Sequence, residues 1–325
     1  MDKCYLGIDS SNYTSSVCIL NATQNEFISK RKLLSVKPGE LGLRQSEAVF
    51  QHVKNFPELI DDAFLDFVGE IRAYGASSSP TTKKFSYMPC FKVGTSLASA
   101  MATSSKLPYY QFSHQQGHIA SALYSINKLE MMKYRFIAFH VSGGTTDALV
   151  CNGEKSLLNI KLIGTSLDLH AGQLIDRVGV KLGLSFPCGK ELEKLALLCD
   201  DEIHTNPCIK GNDCCLSGFE NIVQKLIDDG YPKEYIAKYT LIAIAESLFM
   251  MLTPINREYG RLPIVFSGGV MSNSIIKNYF NKWVYNKLWF SDPEFATDNA
   301  LGIAVLTSLE DLKNGHTKSF NCNTN

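Results

Sequence analysis

Two histidines four positions apart are the residues whose spacing most directly suggests chemistry in this sequence. His114 and His118 lie in the stretch HQQGH, which follows a strand-like segment and begins a helix-like one. Residues i and i+4 stand one turn apart on the same face of a helix. Two imidazoles placed in this way can share one metal ion when a third ligand comes from elsewhere in the chain. Such spacings also arise by chance, so at this point the metal site is a hypothesis.

A second pattern places small polar residues or glycines directly after an apolar strand. It occurs three times, as GIDSSNYTSS, HVSGGTTDAL and VFSGGVMSN. Glycine has no Cβ, so backbone N–H groups at such turns can approach a phosphate closely. The first two segments are expected to return as hairpin strands, and the third to lead into a helix whose N-terminus favours an anion. The repetition predicts a nucleotide pocket between two related halves.

Size and composition set the class of protein. The chain has 325 residues, 45% of them hydrophobic and 20% charged, which suits one large domain or two ordinary ones with a sizeable core. Basic and acidic residues balance at 32 each, so no general basic surface marks a nucleic-acid binder. RNA would have to bind through a local patch or with a partner's help.

The expected compartment is the cytoplasm. The N-terminal sequence has no apolar signal region, which argues against a signal peptide. The most apolar helical run, YTLIAIAESLFMMLTPI, contains Glu246 and is expected to be interrupted at Pro254, so it predicts a buried core helix and no membrane span. The ten cysteines include no CxxC pair, and the cluster of Cys208, Cys214 and Cys215 is expected to hold free thiols.

The apolar periodicity predicts alternating strands and helices, an α/β chain. Residues 4 to 20 form a predicted hairpin, and residues 21 to 45 show no clear period. Residues 46 to 69 predict a helix broken or restarted at Pro57, with His52 as a helix-surface or core histidine. Asp9, at the end of the first strand, is a candidate for holding a phosphate or its metal-bound water, or belongs to an ordinary polar turn. A second unit is expected to begin near Tyr134.

In their order along the chain, these motifs resemble the TsaD/Kae1 family of tRNA threonylcarbamoyladenosine transferases, formerly called O-sialoglycoprotein endopeptidases. The resemblance rests on HQQGH, HVSGGTT, SLDLHAGQLIDRVGVKLGLSFPCG, GGVMSN and ATDNALGIA. It implies the actin-like, sugar-kinase and heat-shock-protein ATPase superfold. Two related α/β lobes, over residues 1–125 and 126–325, would then enclose a central nucleotide and metal cleft.

The resemblance also implies site residues, while leaving the catalytic residues unassigned. His114, His118 and Asp298 would bind one divalent metal, with iron expected first and zinc as the alternative. The second group of implied residues would bind the adenylate substrate, or ATP or AMP. These residues lie in or next to the glycine turns and on the helices that come after the turns. With Asp9 added from the first strand, these residues are Asp9, His140, Val141, Ser142, Gly143, Gly144, Asp176, Gly189 and Asn273.

The implied reaction moves a threonylcarbamoyl group from threonylcarbamoyl-AMP to N6 of the adenosine next to the anticodon. The implied partners are tRNA, a paralogous subunit and a small ATPase. Three positions depart from the family, because Tyr13 and Thr14 replace two acids and Thr145 replaces a histidine. A non-catalytic or regulatory nucleotide-binding paralogue and carbamoyl transfer to another acceptor are therefore alternatives. A small-molecule kinase, with Asp9 or Asp147 as base, is a third.

Overall fold

The computed structural model describes residues 2–36, 43–83, 85–153, 157–295 and 300–320, with side chains described as far as Gly315. The chain divides into two compact units. The first contains residues 1–130, 153–159 and 298–325, and the second contains residues 131–152 and 160–297. The predicted lobe boundary lies near the end of the first stretch, but the C-terminal helix groups with the first unit. It does so because it packs on the strands of that unit's sheet.

The strands are β1 (Lys3–Ser10), β2 (Thr14–Asn21), β3 (Glu26–Leu33), β4 (Glu70–Ser79), β5 (Tyr109–Ser113), β6 (Phe136–Val141), β7 (Thr146–Asn152), β8 (Asn159–Thr165), β9 (Cys208–Lys210), β10 (Asp213–Cys215), β11 (Ile264–Ser267) and β12 (Leu288–Phe290). The helices are α1 (Gln45–Leu65), α2 (Phe91–Ser105), α3 (His114–Ser125), α4 (Ala171–Lys181), α5 (Gly189–Ala196), α6 (Ser217–Asp228), α7 (Lys233–Tyr259), α8 (Ser274–Trp283) and α9 (Leu301–Phe320). Short 3₁₀ segments cover Leu129–Lys133, Gly269–Ser272 and Pro293–Phe295.

The sheet of the first unit has the order β3-β2-β1-β4-β5. The predicted hairpin is confirmed, since β1 and β2 pair antiparallel, while β4 and β5 extend the sheet as parallel strands. Strand β3 lies in the stretch where the sequence showed no clear period. Most of its residues are exposed at the sheet edge, so no apolar alternation marks it in the sequence.

The sheet of the second unit has the order β12-β11-β6-β7-β8. Here β6 and β7 form the antiparallel hairpin, and β11 and β12 add parallel strands on the other side of β6. Each sheet is thus built from an antiparallel hairpin followed by two parallel strands. This shared strand order confirms that the repeated strand-turn pattern reflects two related α/β units.

Two prolines lie inside helices that the sequence predicted them to interrupt. Pro57 lies within α1 and Pro254 within α7, and both helices continue past them. A proline leaves the carbonyl four residues earlier without its helical hydrogen bond. Those residues are Val53, 57% exposed, and Met250, 43% exposed, so each proline follows by one turn a position on the solvent-facing side of its helix, where a lost hydrogen bond is best tolerated. The helix breaks predicted at both prolines were wrong for this reason.

Helix α7 is the predicted core helix. Among the described residues it is the one helix long and apolar enough to cross a membrane by length and composition, and 72% of its most apolar stretch is buried inside the protein. Its buried side chains pack into the core of the second unit, together with residues of β6, β11 and α4. The burial explains the apolar composition.

A contact between two glycines determines how closely α9 packs on α3. A Cβ built on Gly302 would collide with the carbonyl oxygen of Gly117 and would lie 2.9 Å from the backbone nitrogen of Ser121. Only glycine permits this approach. Glycine at position 302 therefore brings the C-terminal helix against the turn that carries the two histidines, and a Cβ on Gly117 of HQQGH would in addition lie 3.0 Å from Ile303 Cδ1.

Candidate functional site

A capping box fixes the start of α3 and with it the position of both histidines. The Ser113 hydroxyl accepts a hydrogen bond from the Gln116 backbone nitrogen at 3.2 Å, and Gln116 Oε1 accepts one from the Ser113 backbone nitrogen at 2.8 Å. This reciprocal pair satisfies two N–H groups at the helix N-terminus. The helix therefore begins at His114, and His118 lies one turn later on the same face.

The two imidazoles converge through their Nε2 atoms. His114 Nε2 and His118 Nε2 are 2.9 Å apart, and the ring planes are inclined by 78°. Two nitrogens that each bind one ion at about 2.1 Å lie about 3 Å apart when they occupy adjacent positions at right angles. The donor atoms thus fit two neighbouring positions on a single divalent ion. The predicted pairing of these two residues is present in the fold.

Asp9 lies behind His114. Its carboxylate is 1% exposed, and its Oδ1 atom is 3.0 Å from His114 Nδ1. Its Oδ2 atom is buried and makes no hydrogen bond within the described part of the chain. A carboxylate on one ring nitrogen of a histidine fixes the tautomer and leaves the other nitrogen to face a metal. The structure therefore places Asp9 where it orients His114, a contact that no sequence motif indicated.

The third predicted ligand, Asp298, lies outside the described residues. Within the described ranges, no group of three or more His, Cys, Asp or Glu side chains lies close enough to hold a metal. Asp298 stands four positions before Gly302, the residue that packs on Gly117 of HQQGH. Its role as a ligand stays a prediction.

A buried histidine holds the turn between β1 and β2. Tyr13 lies in this turn and Thr14 is the first residue of β2, and these are the two positions where the family resemblance implies acids. His52 is 0% exposed; its Nε2 lies 2.8 Å from the Ser11 carbonyl oxygen and its Nδ1 lies 2.7 Å from Ser15 Oγ. A carbonyl only accepts, so Nε2–H donates and Nδ1 accepts from the serine hydroxyl. Desolvation by burial, opposed by the Ser11 contact, lowers the pKa of His52. Of the replaced positions, Tyr13 is 45% exposed and Thr14 is 3% exposed.

In the second unit, the predicted phosphate turn joins β6 to β7. Ser142 donates its backbone N–H to the Thr145 carbonyl at 2.8 Å, and its own carbonyl accepts from the Gly172 backbone nitrogen at 3.2 Å. A Cβ on Gly172 would lie 2.6 Å from Gly143 Cα, so the first turn of α4 rests on this turn. This contact explains the glycine in SLDLHAG.

Gly143 and Gly144, in the same turn, differ from Gly172 because no close packing contact surrounds them. Both are exposed; a Cβ on either would meet nothing within 4 Å, and neither has a positive φ. Packing and backbone strain therefore do not require glycine at these positions. The open surface of this turn is compatible with close approach of a phosphate to its backbone, and the phosphate contact stays a prediction.

His140 and Val141 precede this turn inside the sheet. His140 is 8% exposed, and its Nδ1 lies 3.0 Å from Ser267 Oγ on β11. Val141 is buried, and its carbonyl lies where a Cβ on Gly268 would collide; Gly268 has φ of +95°. Of the predicted substrate residues in this stretch, Ser142, Gly143 and Gly144 form the turn at the surface, and the two residues before them hold β6 to β11.

Asp176 and Gly189 meet at the start of α5. Asp176, on α4, accepts a hydrogen bond through Oδ1 from the backbone nitrogen of Cys188 at 2.8 Å. Cys188 directly precedes Gly189, the first residue of α5, and a Cβ on Gly189 would meet nothing within 4 Å. The contact holds Asp176 of α4 to the start of α5.

Glu193 connects this point to Asn273. Its Oε1 atom accepts hydrogen bonds from the backbone nitrogen and the hydroxyl of Ser274, both at 2.6 Å. Asn273 caps α8 by accepting from the Ile276 backbone nitrogen through Oδ1 at 3.1 Å. Three predicted residues are therefore linked by Cys188, Glu193 and Ser274. Glu193 was missed because its only signal is a position one helical turn after Gly189.

Glu193 links the N-terminal parts of helices α5 and α8, since it lies on α5 and accepts hydrogen bonds from the first residue of α8. Unsatisfied N–H groups and the helix dipole make such ends favourable for phosphate. Together with the glycine turn, the second unit carries backbone donors for an anion and carboxylate and amide groups for a sugar or base. These are the elements of a nucleotide site.

Solved structures place the fold in a known class. The chain resembles the HypF protein of T. kodakarensis with a TM-score of 0.61 and 15% identity over 96% of this chain and 48% of that one. It also resembles an ADPNP-bound activator of 2-hydroxyisocaproyl-CoA dehydratase from Clostridium difficile, with a TM-score of 0.55 and 15% identity over 97% of both chains. The fold is that of the actin-like, sugar-kinase and heat-shock-protein ATPase superfold, as predicted.

Sequence comparison identifies the family within that class. The TsaD family, described as tRNA N6-adenosine threonylcarbamoyltransferase, matches residues 87–305. The tRNA N6-adenosine threonylcarbamoyltransferase of Kosmotoga olearia is 30% identical over 316 residues, which cover 93% of this chain and 91% of the relative. The chain belongs to the TsaD family.

Proposed function

We propose that this protein is a metal-dependent transferase that moves a threonylcarbamoyl group from threonylcarbamoyl-AMP to N6 of the adenosine next to the anticodon of tRNA. Family membership supports the reaction. The observation that carries the proposal is the 2.9 Å separation of His114 Nε2 and His118 Nε2, with Asp9 behind the first ring. A metal-binding pair of histidines at this spacing is not a feature of the kinases of this superfold.

The chemistry is acyl-type transfer from a mixed anhydride. The N6 nitrogen of adenosine forms a bond to the carbamoyl carbon, and the bond from that carbon to the phosphate oxygen breaks. One proton leaves the nitrogen, and AMP departs. The reaction requires the leaving phosphate to be neutralised and the amine, a weak nucleophile, to be held close. It requires no covalent nucleophile, so the cysteines have no part in it.

The second unit supplies the groups that suit the adenylate. The backbone N–H groups of Gly143 and Gly144 are proposed to bind its phosphate, since their Cβ-free surface leaves room for close approach. Asp176, Gly189 and Asn273 are proposed to contact the ribose and the base. Glu193 acts through Ser274, holding the start of α8 and thus the position of Asn273.

His114, His118 and Asp298 are proposed to hold the metal, with iron as the first candidate and zinc as the second. When bound, such an ion supplies Lewis-acid polarisation of the carbamoyl carbonyl. Asp9 would keep His114 in the tautomer that leaves Nε2 available as a metal ligand. The predicted contact of Asp9 with a phosphate or a metal-bound water stays a proposal.

The proposed partners are tRNA, a paralogous subunit and a small ATPase, and the proposed location is the cytoplasm. A net charge of zero gives the chain no general attraction for a polyanion. Accessory proteins would therefore contribute to tRNA binding.

The direct test is a transfer assay. The purified protein is incubated with threonylcarbamoyl-AMP and an unmodified tRNA, with and without accessory proteins from a bacterium, and the tRNA nucleosides are measured by mass spectrometry. The proposal expects N6-threonylcarbamoyladenosine and an equal amount of AMP, both lost in His118→Ala and retained in His204→Ala, a change at an exposed histidine. AMP release without modified nucleoside in the presence of all components would contradict it.

A further inference from the structure

A small hairpin in the second unit brings two cysteines face to face. Strands β9 and β10 pair antiparallel around Gly211, which has φ of +65°, and Asn212. The register places Cys208 directly opposite Cys215. Neither cysteine is used in the proposed transfer reaction. They belong to the cysteine cluster that the sequence suggested to be free thiols.

The register satisfies the geometric requirement of a disulfide. Directly opposed residues of antiparallel strands have Cα atoms about 4.5–5.5 Å apart and side chains on the same face. A disulfide requires Cα atoms about 4.4–6.8 Å apart. The register of Cys208 and Cys215 therefore meets the Cα-distance requirement for a disulfide.

The two thiols differ in solvent exposure from each other and from the adjacent Cys214. Cys208 is exposed and Cys215 is partly exposed, whereas Cys214, the neighbour of Cys215 in β10, is buried. Partial burial, followed by the hydrogen bond from Cys208, raises the pKa of the Cys215 thiol. The more accessible Cys208 is therefore the thiol that meets a reagent from solution first.

We propose that Cys208 and Cys215 form a reversible dithiol–disulfide pair, a redox modification site oxidised by low-molecular-weight disulfides such as glutathione disulfide. The Cys208 thiolate attacks one sulfur of glutathione disulfide, and the first molecule of reduced glutathione leaves. Cys215 then attacks Cys208 Sγ in the mixed disulfide and releases the second. Two electrons pass from the protein thiols to glutathione, and their two protons end on the two glutathione thiols.

The hairpin supports the segment that leads into α4. Asp213 Oδ1 accepts from the Thr165 backbone nitrogen at 2.8 Å, and the Cys214 carbonyl accepts from the Leu167 nitrogen at 2.9 Å. Just beyond β10, the Leu216 nitrogen donates to Asp168 Oδ1 at 2.8 Å. Oxidation would therefore cross-link a hairpin that holds the residues immediately before Ala171, the start of the helix that carries Asp176.

Binding of a soft metal ion is the alternative to disulfide formation for two facing thiols. Within the part of the chain that the structure describes, no third His, Cys, Asp or Glu completes a metal-binding group here. Two thiolates alone leave a zinc ion short of its four ligands. The disulfide is the chemistry that the pair can complete by itself.

The test uses the full-length protein equilibrated in buffers of increasing glutathione disulfide to glutathione ratio, then alkylated and digested with trypsin. Cleavage after Lys210 separates Cys208 from Cys215, so the two peptides stay joined only through a disulfide. We expect the joined peptides to appear in wild type as the ratio rises, and to disappear when reduced glutathione is restored.

Variants assign the bond. Cys208→Ser and Cys215→Ser should abolish the joined peptides, while Cys199→Ser, which changes another partly exposed cysteine on the first peptide, should retain them. Mapping the bond in the unaltered protein keeps the test valid even if a variant folds poorly. Alkylated Cys208 and Cys215 at every ratio, or a mixed glutathione disulfide on Cys208 that never resolves, would overturn the proposal.

Discussion

Asp9 Oδ1 lies 3.0 Å from His114 Nδ1, and the two residues are 105 positions apart in the sequence. The contact joins the end of β1 to the first residue of α3. It determines which imidazole nitrogen of His114 faces His118. The two Nε2 atoms are therefore oriented toward each other as a pair of potential metal donors. Metal binding in the first unit is therefore expected to depend on a residue that is not itself a ligand.

Asp9→Asn should weaken metal binding by about 10- to 100-fold, the usual effect of removing a carboxylate that orients a metal-binding histidine. The amide keeps the size of the side chain but carries no negative charge. The affinity is measured by titrating metal-free protein with Fe²⁺ or Zn²⁺. Asp61→Asn, at an exposed position on α1, is the control. Equal affinities for Asp9→Asn and the control would show that Asp9 does not position His114.

Glu193→Ala should weaken AMP binding about tenfold or more, because the Ser274 nitrogen and hydroxyl would lose their common acceptor and the start of α8 would loosen. Glu193→Gln keeps an acceptor oxygen and should recover most of the affinity. Calorimetric titration provides the measurement. Glu191→Ala changes an exposed carboxylate on the same helix and should bind AMP as wild type does. If Glu193→Ala matched that control, the network would have no role in nucleotide binding.

His52 should make folding stability depend on acid pH. Burial lowers its pKa from the ordinary 6.5, so the folded protein binds this proton less readily than the unfolded chain. Its contribution to the free energy of unfolding is full above about pH 6.5 and is lost as the pH falls through the lowered folded pKa. His52→Gln should reduce the unfolding free energy by about 1–3 kcal/mol at neutral pH and flatten its decline below pH 6.5.

Denaturant unfolding across this pH range, with His204→Gln as the control, tests the assignment. The His204 side chain is 78% exposed, so its replacement should leave the acid slope unchanged. A His52→Gln curve parallel to wild type at every pH would show that His52 contributes nothing to the slope.

Gly302→Ala should destabilise the protein by about 1–3 kcal/mol or more, because the added methyl group would meet the backbone of α3 at Gly117. Gly315→Ala lies on the same helix, where a Cβ meets nothing within 4 Å. It should be neutral or stabilise by up to about 1 kcal/mol, the usual difference in helix propensity. Thermal unfolding distinguishes the two variants. A neutral Gly302→Ala would mean that α9 does not pack on α3 as described.

The elements that the sequence predicted well are those whose burial leaves a regular apolar pattern. The β1–β2 hairpin, the repeated strand-turn unit and the core helix α7 belong to this group. Strand β3 was missed because it is largely exposed. The breaks at Pro57 and Pro254 were wrong because the residues one turn before them, Val53 and Met250, face solvent, where a lost helical hydrogen bond is tolerated. Local sequence does not report the solvent that makes a proline acceptable.

Candidate site residues were predictable where a motif spans a few positions, as in HQQGH and the Gly143–Gly144 turn. The side chains that orient them come from distant parts of the chain. Asp9 behind His114 and Glu193 beside Ser274 are tertiary contacts, which no local pattern reports. Sequence reasoning therefore singled out Asp9 as a site residue but did not indicate its contact with His114, and it missed Glu193 altogether.

The replaced acids do not change the assignment to a transferase family. The family match and the curated relatives carry the transferase name, and nothing in the comparisons favours a non-catalytic paralogue. Tyr13 is 45% exposed at a turn held by His52, and Thr14 is buried at the start of β2. Nothing in the structure explains why this chain has lost the two acids.

The most direct measurement is complementation in cells that lack their own tRNA N6-adenosine threonylcarbamoyltransferase. The wild-type gene, His118→Ala and His204→Ala are expressed to equal soluble levels, and N6-threonylcarbamoyladenosine in total tRNA is quantified by mass spectrometry. We predict that wild type and His204→Ala restore the modified nucleoside and that His118→Ala does not. Wild-type protein that is soluble, loaded with metal and able to bind AMP, yet restores none of it, would contradict the proposed function.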